Sequence, residues 1–179
     1  MSLFLFEFVP ATAERDAVTA LLGEVDRASA AAGATLIESQ VTGGHDRVFS
    51  VVEADSADGL AGRFDALPGV AEVAGPDEVR LVGADLDELK KTKPAAGYLV
   101  EWDFPDGLDM DTYLARKKAK APLYADVPEV SFLRTYVRED MTKCLCFYDA
   151  EGGEEDVVRG RKAVDTPIDR LHTLAGGDR

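Results

Sequence analysis

Eight polar side chains fall at spacings that could gather them on one face of a small sheet. They are Glu7, Glu38, Gln40 and Arg47 in the first half of the chain, and Glu101, Arg134, Tyr136 and Lys143 in the second. A glutamate in such a set can act as a general base, an arginine such as Arg134 can stabilise developing negative charge, and Tyr136 can donate a hydrogen bond or proton. This chemistry suits isomerisation, cyclisation or another cofactor-independent reaction of a small polar-aromatic molecule. Glu7, Glu101, Arg134 and Tyr136 are therefore the catalytic candidates; Glu38, Gln40, Arg47 and Lys143 are the ligand-binding ones. A buried carboxylate is costly without a partner, so the pairs Glu101–Arg134 and Glu7–Arg47 are expected. The plainer alternative is that these residues stitch sheets together or reach solvent.

Other reactive types are scarce. The histidines, His45 and His172, read as a hairpin-turn residue and an edge residue. Cys144 and Cys146 share one side of a strand at a spacing poor for a disulfide, and read as small reduced core residues. No metal site and no cofactor are expected from these residues alone. The basic run Arg116-Lys117-Lys118-Ala119-Lys120 spreads charge around a helix. Solvation is its ordinary fate; a local site for an anionic substrate, rimmed by Pro122 and Tyr124, is the functional alternative.

The elements that must position these groups come from an internal repeat. Ala34–Ala54 (ATLIESQVTGGHDRVFSVVEA) aligns without a gap to Val130–Ala150 (VSFLRTYVREDMTKCLCFYDA). Apolar positions coincide at Leu36/Phe132, Ile37/Leu133, Val41/Val137, Phe49/Leu145 and Val51/Phe147. Each segment reads as two strands around a polar turn, Gly43-Gly44 or Glu139-Asp140. The strand before it alternates: Phe4, Phe6 and Phe8, or Tyr98, Val100, Trp102 and Phe104, take the helix-packed side, which leaves Glu7 and Glu101 opposite.

A helix follows each first strand. Thr12 is the expected cap of one, with Val18, Leu21, Leu22 and Val25 as its stripe and Gly33 as its stop. Asp109 caps the other, which Pro122 ends. Weaker helices are expected around Leu60, Phe64 and Leu67, and around Val157, Val158, Arg161 and Val164, with final strands near 78–82 and 170–174. The order is β-α-β-β-α-β twice, an α+β architecture of tandem ferredoxin-like repeats. The expected domains are 1–83 and 97–179 with a connection at 84–96. Two antiparallel sheets packed as a pseudo-dimeric α/β barrel would cover the remaining apolar faces. A homodimer would cover them too.

Acidic residues number 34 against 20 basic ones, a formal charge of -14. A field of that sign opposes nonspecific binding to nucleic acid or to an anionic membrane. No apolar run approaches a membrane span, and Met1–Glu7 is not a basic leader followed by an apolar stretch. A cytoplasmic location is the expectation, with a small molecule as partner.

The runs Phe132-Leu133-Arg134-Thr135-Tyr136-Val137-Arg138-Glu139-Asp140, Lys143–Ala150 and Thr166-Pro167-Ile168-Asp169-Arg170-Leu171 resemble the DUF4242 family across residues 98–174. The resemblance implies ferredoxin-like units, and one branch of that family is described as nickel-binding. Cys146 matches the family's cysteine position. The branch's histidine-bearing first-strand stretch corresponds to Glu101-Trp102-Asp103 here. The leading expectation is a small-molecule-binding protein or cofactor-independent enzyme, with a metal-binding or nickel-responsive protein and a structural interaction module as alternatives.

Overall fold

The computed structural model describes residues 1–175, which fall into two compact units. The first comprises Met1–Val79, Leu86–Pro94 and, at the far end of the chain, Leu174 and Ala175. Its elements are β1 (Ser2–Pro10), α1 (Arg15–Ala31), β2 (Thr35–Val41), β3 (Val48–Ala54), most of β4 (Val70–Val82) and α2 (Leu86–Thr92). The strands run antiparallel in the order β2-β3-β1-β4, the ferredoxin-like sequence of neighbours. Phe4, Phe6 and Phe8 point to one face and pack with Val18, Leu21 and Val25 of α1. This is the face that strand alternation assigns them.

The second unit comprises Arg80–Asp85 and Ala95–Thr173. It contains β5 (Tyr98–Asp103), α3 (Met110–Lys120), a 3-10 helix at Ala121–Asp126, β6 (Val130–Arg138), β7 (Lys143–Ala150), α4 (Glu154–Ala163) and β8 (Arg170–Thr173). The strand order β6-β7-β5-β8 is again ferredoxin-like. The end of β4 runs beside β6, where Arg80 pairs with Glu139 at 2.9 Å. Gly83 lies so close to the Phe132 ring that an added Cβ would sit 2.6 Å from it. Asp109 caps α3 by accepting from the Thr112 amide at 2.7 Å. Val100, Trp102, Tyr113, Cys144, Cys146 and Val157 build the core on the helix side.

The two hairpins share more than length. In the first, Leu36 pairs with Val52 and Glu38 with Val51, so Ile37 is an extra residue. In the second, Phe132 pairs with Tyr148 and Arg134 with Phe147, so Leu133 is extra. The β-bulge thus falls at positions that the gapless alignment equates. Beyond it Gln40 faces Phe49 and Tyr136 faces Leu145, again equivalent pairs.

Several local expectations give way to the structure. Residues 57–67 are turns rather than a helix, because Gly59, Gly62 and Pro68 interrupt a stretch that has no cap. Leu60 and Phe64 are nonetheless fully buried from that irregular backbone. Helix α1 begins after Glu14, which makes no side-chain capping bond, so Thr12 is not its cap. Residues 86–92 of the expected connection form α2, whose Lys90 pairs with Glu53 at 2.6 Å. Strand β4 starts well before residue 78 and bends at Gly75, where a Cβ would lie 2.4 Å from the Leu5 carbonyl.

Candidate functional site

The eight polar candidates divide between the units. Glu7, Glu38 and Gln40 share the face of the first unit's strands opposite the phenylalanines, since Glu7 and Gln40 both pair with Phe49 and Glu38 pairs with Val51. Glu7 and Gln40 are buried. Arg47 is exposed and is not joined to Glu7, so that expected pair does not form. Arg47 precedes β3, in a turn closed by Thr42, whose amide donates to the Arg47 carbonyl at 3.1 Å. Strand alternation therefore does not aim its side chain.

On the strands of the second unit Glu101, Arg134, Tyr136 and Lys143 do share the face away from the helices. Glu101 and Tyr136 both pair with Leu145, and Arg134 pairs with Phe147. The expected Glu101–Arg134 contact is absent. Arg134, 1% exposed, lies with its guanidinium 5.0 Å from the Phe147 ring centre. Glu101 instead accepts from Lys143 Nζ at 2.8 Å, Arg170 Nε at 2.9 Å and His172 Nε2 at 2.8 Å. Arg170 and His172 sit two apart on β8, which pairs with β5 through Glu101↔Arg170 and Leu99↔His172. Arg170 also forks onto Asp103 at 2.8 and 2.6 Å.

Burial pushes the Glu101 carboxyl up, but hydrogen bonds from His172, Lys143 and Arg170 outweigh it and hold the group well below the usual carboxylate range. A carboxylate held this firmly ionised is a weak proton acceptor. Its arrangement ties β5, β7 and β8 together at one end of the sheet. The period-two spacing of Arg170 and His172 was the one sequence signal for these partners.

The opposite, helix-covered face contains a cleft whose empty space, open mouth included, is about 450 Å³. Trp102, Tyr113, Tyr124 and Phe132 supply aromatic walls, and Arg116, Lys117, Lys120 and Arg161 supply charge. None of its lining residues is acidic. Helix α3 delivers three of the cations because 116, 117 and 120 stand on neighbouring positions of one helical flank. Arg116 lies 5.7 Å from the Trp102 ring centre and Lys117 Nζ lies 4.0 Å from that of Phe132. The basic run is therefore folded partly over aromatic rings rather than fully solvated.

The floor of the cleft is polar and buried. Arg161, 3% exposed, donates to Tyr148 Oη at 3.2 Å, to Cys146 Sγ at 3.6 Å and to the Pro167 carbonyl. Tyr148 Oη is 2.6 Å from Tyr124 Oη. Thr135 Oγ1 contacts Cys146 Sγ at 3.1 Å and receives Lys117 Nζ at 3.2 Å. The Cys144 and Cys146 sulfurs are 3.7 Å apart. That contact, together with Arg161 and Lys117, holds the Cys146 thiol below its ordinary value, while burial pushes Cys144 up. Two donors remain without acceptors, Arg116 Nε and Arg161 Nε, both buried. A buried unfilled donor costs about 1–3 kcal/mol.

Comparison with known proteins follows the division of the chain. Residues 98–174, under half of the chain, match the family model described as "Nickel responsive protein SCO4226-like". SCO4226 from Streptomyces coelicolor A3(2) is 16% identical, with a TM-score of 0.39; the alignment covers 45% of this chain and 96% of that one. The candidate chlorite dismutase TA0507 is 14% identical with a TM-score of 0.51, covering 99% of this chain and 97% of that one. A candidate monooxygenase from Lactobacillus acidophilus NCFM is 14% identical with a TM-score of 0.48, covering 98% and 94%. No curated protein matches the chain. At these identities the TA0507 likeness speaks for the α+β fold alone. No helix among the described residues is long and apolar enough to cross a membrane.

A nickel site needs several histidine, cysteine or carboxylate donors converging on one point. Among the described residues no group of three or more such side chains is so arranged. Glu101 and His172 meet, but Lys143 and Arg170 occupy the same carboxylate. Cys144 and Cys146 meet beside a guanidinium, which repels a cation. The residues present do not fit the metal. In sequence, the segment 98–174 is similar to the SCO4226-like family.

Proposed function

We propose that the chain binds a small organic molecule, and that the site is the cleft between the sheet and helices of the second unit. The observation that carries this reading is the composition of the cleft: four aromatic rings and four cations with no acidic lining residue, in a chain of formal charge -14. Charge of the minority sign gathered around apolar walls fits a ligand that is itself part apolar and part anionic. The Glu101 cluster, on the other face of the sheet, serves to hold β5, β7 and β8 in place. Acid–base catalysis by Glu101 is not favoured by its firmly ionised state. The family description supplies a second reading, a nickel-responsive protein, which the donor set does not favour.

Trp102 is the single tryptophan and lines the cleft, so intrinsic fluorescence reports on occupancy. Titration with 8-anilinonaphthalene-1-sulfonate, an aromatic anion, should quench Trp102 saturably at one dye per chain. Ala121 is exposed at the rim, and Ala121→Phe fills the mouth without entering the core. That variant should bind the dye at least about tenfold more weakly, the effect of losing roughly one well-packed contact region. An unchanged titration in Ala121→Phe would show that the cleft is not the site.

A further inference from the structure

We infer that Cys146 stands as a thiolate at neutral pH, the counter-charge that fixes Arg161 in a buried ion pair beneath the cleft. The pair is made of the protein's own groups and stands whatever the cleft receives. Arg161 is 3% exposed, and a guanidinium does not give up its proton inside a protein. A buried charge without a partner is costly. The guanidinium meets Tyr148 Oη at 3.2 Å, Cys146 Sγ at 3.6 Å and the Pro167 carbonyl. Among the described residues no carboxylate bonds to it. Asp165 is exposed and paired with Lys120, and Asp156 is held by Arg159 and the Gly152 amide. Burial pushes the Tyr113, Tyr124 and Tyr148 hydroxyls up, so all three are neutral. The Cys146 sulfur is the remaining acceptor able to carry the charge.

Three donors converge on that sulfur. Besides Arg161, Thr135 Oγ1 lies 3.1 Å away and Cys144 Sγ 3.7 Å away. Lys117 Nζ can only donate, and at 3.2 Å from Thr135 Oγ1 it leaves that hydroxyl proton directed at the sulfur. Burial pushes the Cys144 thiol up, so Cys144 keeps its proton and donates it. The first repeat holds two hydroxyls at the equivalent cross-strand pair, Ser39 and Ser50, 2.7 Å apart and flanked along β3 by buried Val48 and Val52. A thiol is close to a hydroxyl in size, but it ionises near about pH 8.5, within reach of neutrality when cations surround it. Once ionised, it ties β7 through Arg161 to α4 and to the Pro167 carbonyl, and Val164 and Thr166 of that stretch line the cleft. Cys146 is thus a positioning residue for the cleft floor.

The test counts protons on sulfur. Cys144 and Cys146 are the chain's two cysteines, so the S–H stretching band in the Raman spectrum of the full chain, kept reduced with a phosphine at pH 7, reports on them alone. Its intensity should be half that of the same chain unfolded in acid, where both thiols are protonated. Cys144→Ala should abolish the band, and Cys146→Ala should leave it unchanged. Full intensity in the native chain would overturn the thiolate, and a band that survives Cys144→Ala would overturn its assignment to Cys146. A second measurement reads the linkage. A thiol whose folded value lies below its unfolded one adds stability that is complete above about pH 8.5 and is lost as pH falls through the folded value. Between pH 7 and 8 the unfolding constant of the native chain, relative to that of Cys146→Ser, should therefore fall about tenfold. Parallel pH dependence of the two would overturn the ion pair. Neither readout involves a ligand, so a failed dye titration at Trp102 leaves this pair standing, and the reverse holds.

Discussion

Glu101→Gln should lower the free energy of unfolding by about 3 kcal/mol at pH 7, a cost typical of removing one partner from a buried charge network. Glu101 is 3% exposed and serves three donors from two neighbouring strands. The amide keeps the shape but cannot balance Lys143 and Arg170 together. Asp103 still holds Arg170 in the variant, so the loss centres on Lys143. The comparison variant is therefore Lys143→Met with Glu101→Gln, which should recover part of the loss; urea unfolding of the four species of the cycle gives the coupling energy. A loss under about 1 kcal/mol for the single change would mean that the network carries no net stability.

The same residue sets a pH dependence. Its folded-state value lies below the ordinary one near 4.5, so its contribution is complete above about pH 4.5 and is lost as pH falls toward the folded value. The Glu101→Gln variant should show a flatter fall in stability below pH 4.5 than the native chain. Parallel acid limbs in the two unfolding series would contradict that linkage.

Phe64→Ala should cost about 4 kcal/mol, within the range for emptying a fully buried aromatic site. The Phe64 ring is 4.2 Å from that of Phe6 and 6.4 Å from that of Phe8, centre to centre, at 0% exposure. What distinguishes it from an ordinary core residue is its backbone. Residues 57–67 form only short turns, such as Leu60 N to Ala57 O at 3.0 Å and Arg63 N to Leu60 O at 3.2 Å. No ladder holds them, so Leu60 and Phe64 are the anchors. Hydrogen exchange across 57–67 should accelerate more than across α1 in the variant. Equal acceleration in both would show that the segment is not pinned by this ring.

Much of the scaffold was legible because strands reveal themselves by alternation. The phenylalanine row of β1 and the gapless hairpins needed only a period of two, and they place Glu7 and Glu101 away from the helices as observed. The bulges at Ile37 and Leu133 left no such signal. The segment around Phe64 misled because apolar spacing resembles a helix even where glycine denies one. Glu101 was correctly marked as a buried carboxylate, yet two of its three partners come from β8, near the other end of the unit's sequence, and cross-strand register decides them. The cleft was only half visible. The basic run stood out, but Arg161 read as part of an apolar stripe, and only tertiary packing brings α4 against the 3-10 segment and to the same cleft as α3.

Neither unit is a continuous stretch of chain. Leu174 bridges Thr42, and the Ala175 amide donates to the Val41 carbonyl at 2.8 Å, so the first unit is completed by residues beyond β8. The second unit in turn takes Arg80–Asp85 from before α2. A protease cut after Pro94 would therefore leave two fragments that each lack a strap carried by the other. The natural seam for dividing this protein, the stretch between its halves in sequence, is not a seam in its wiring.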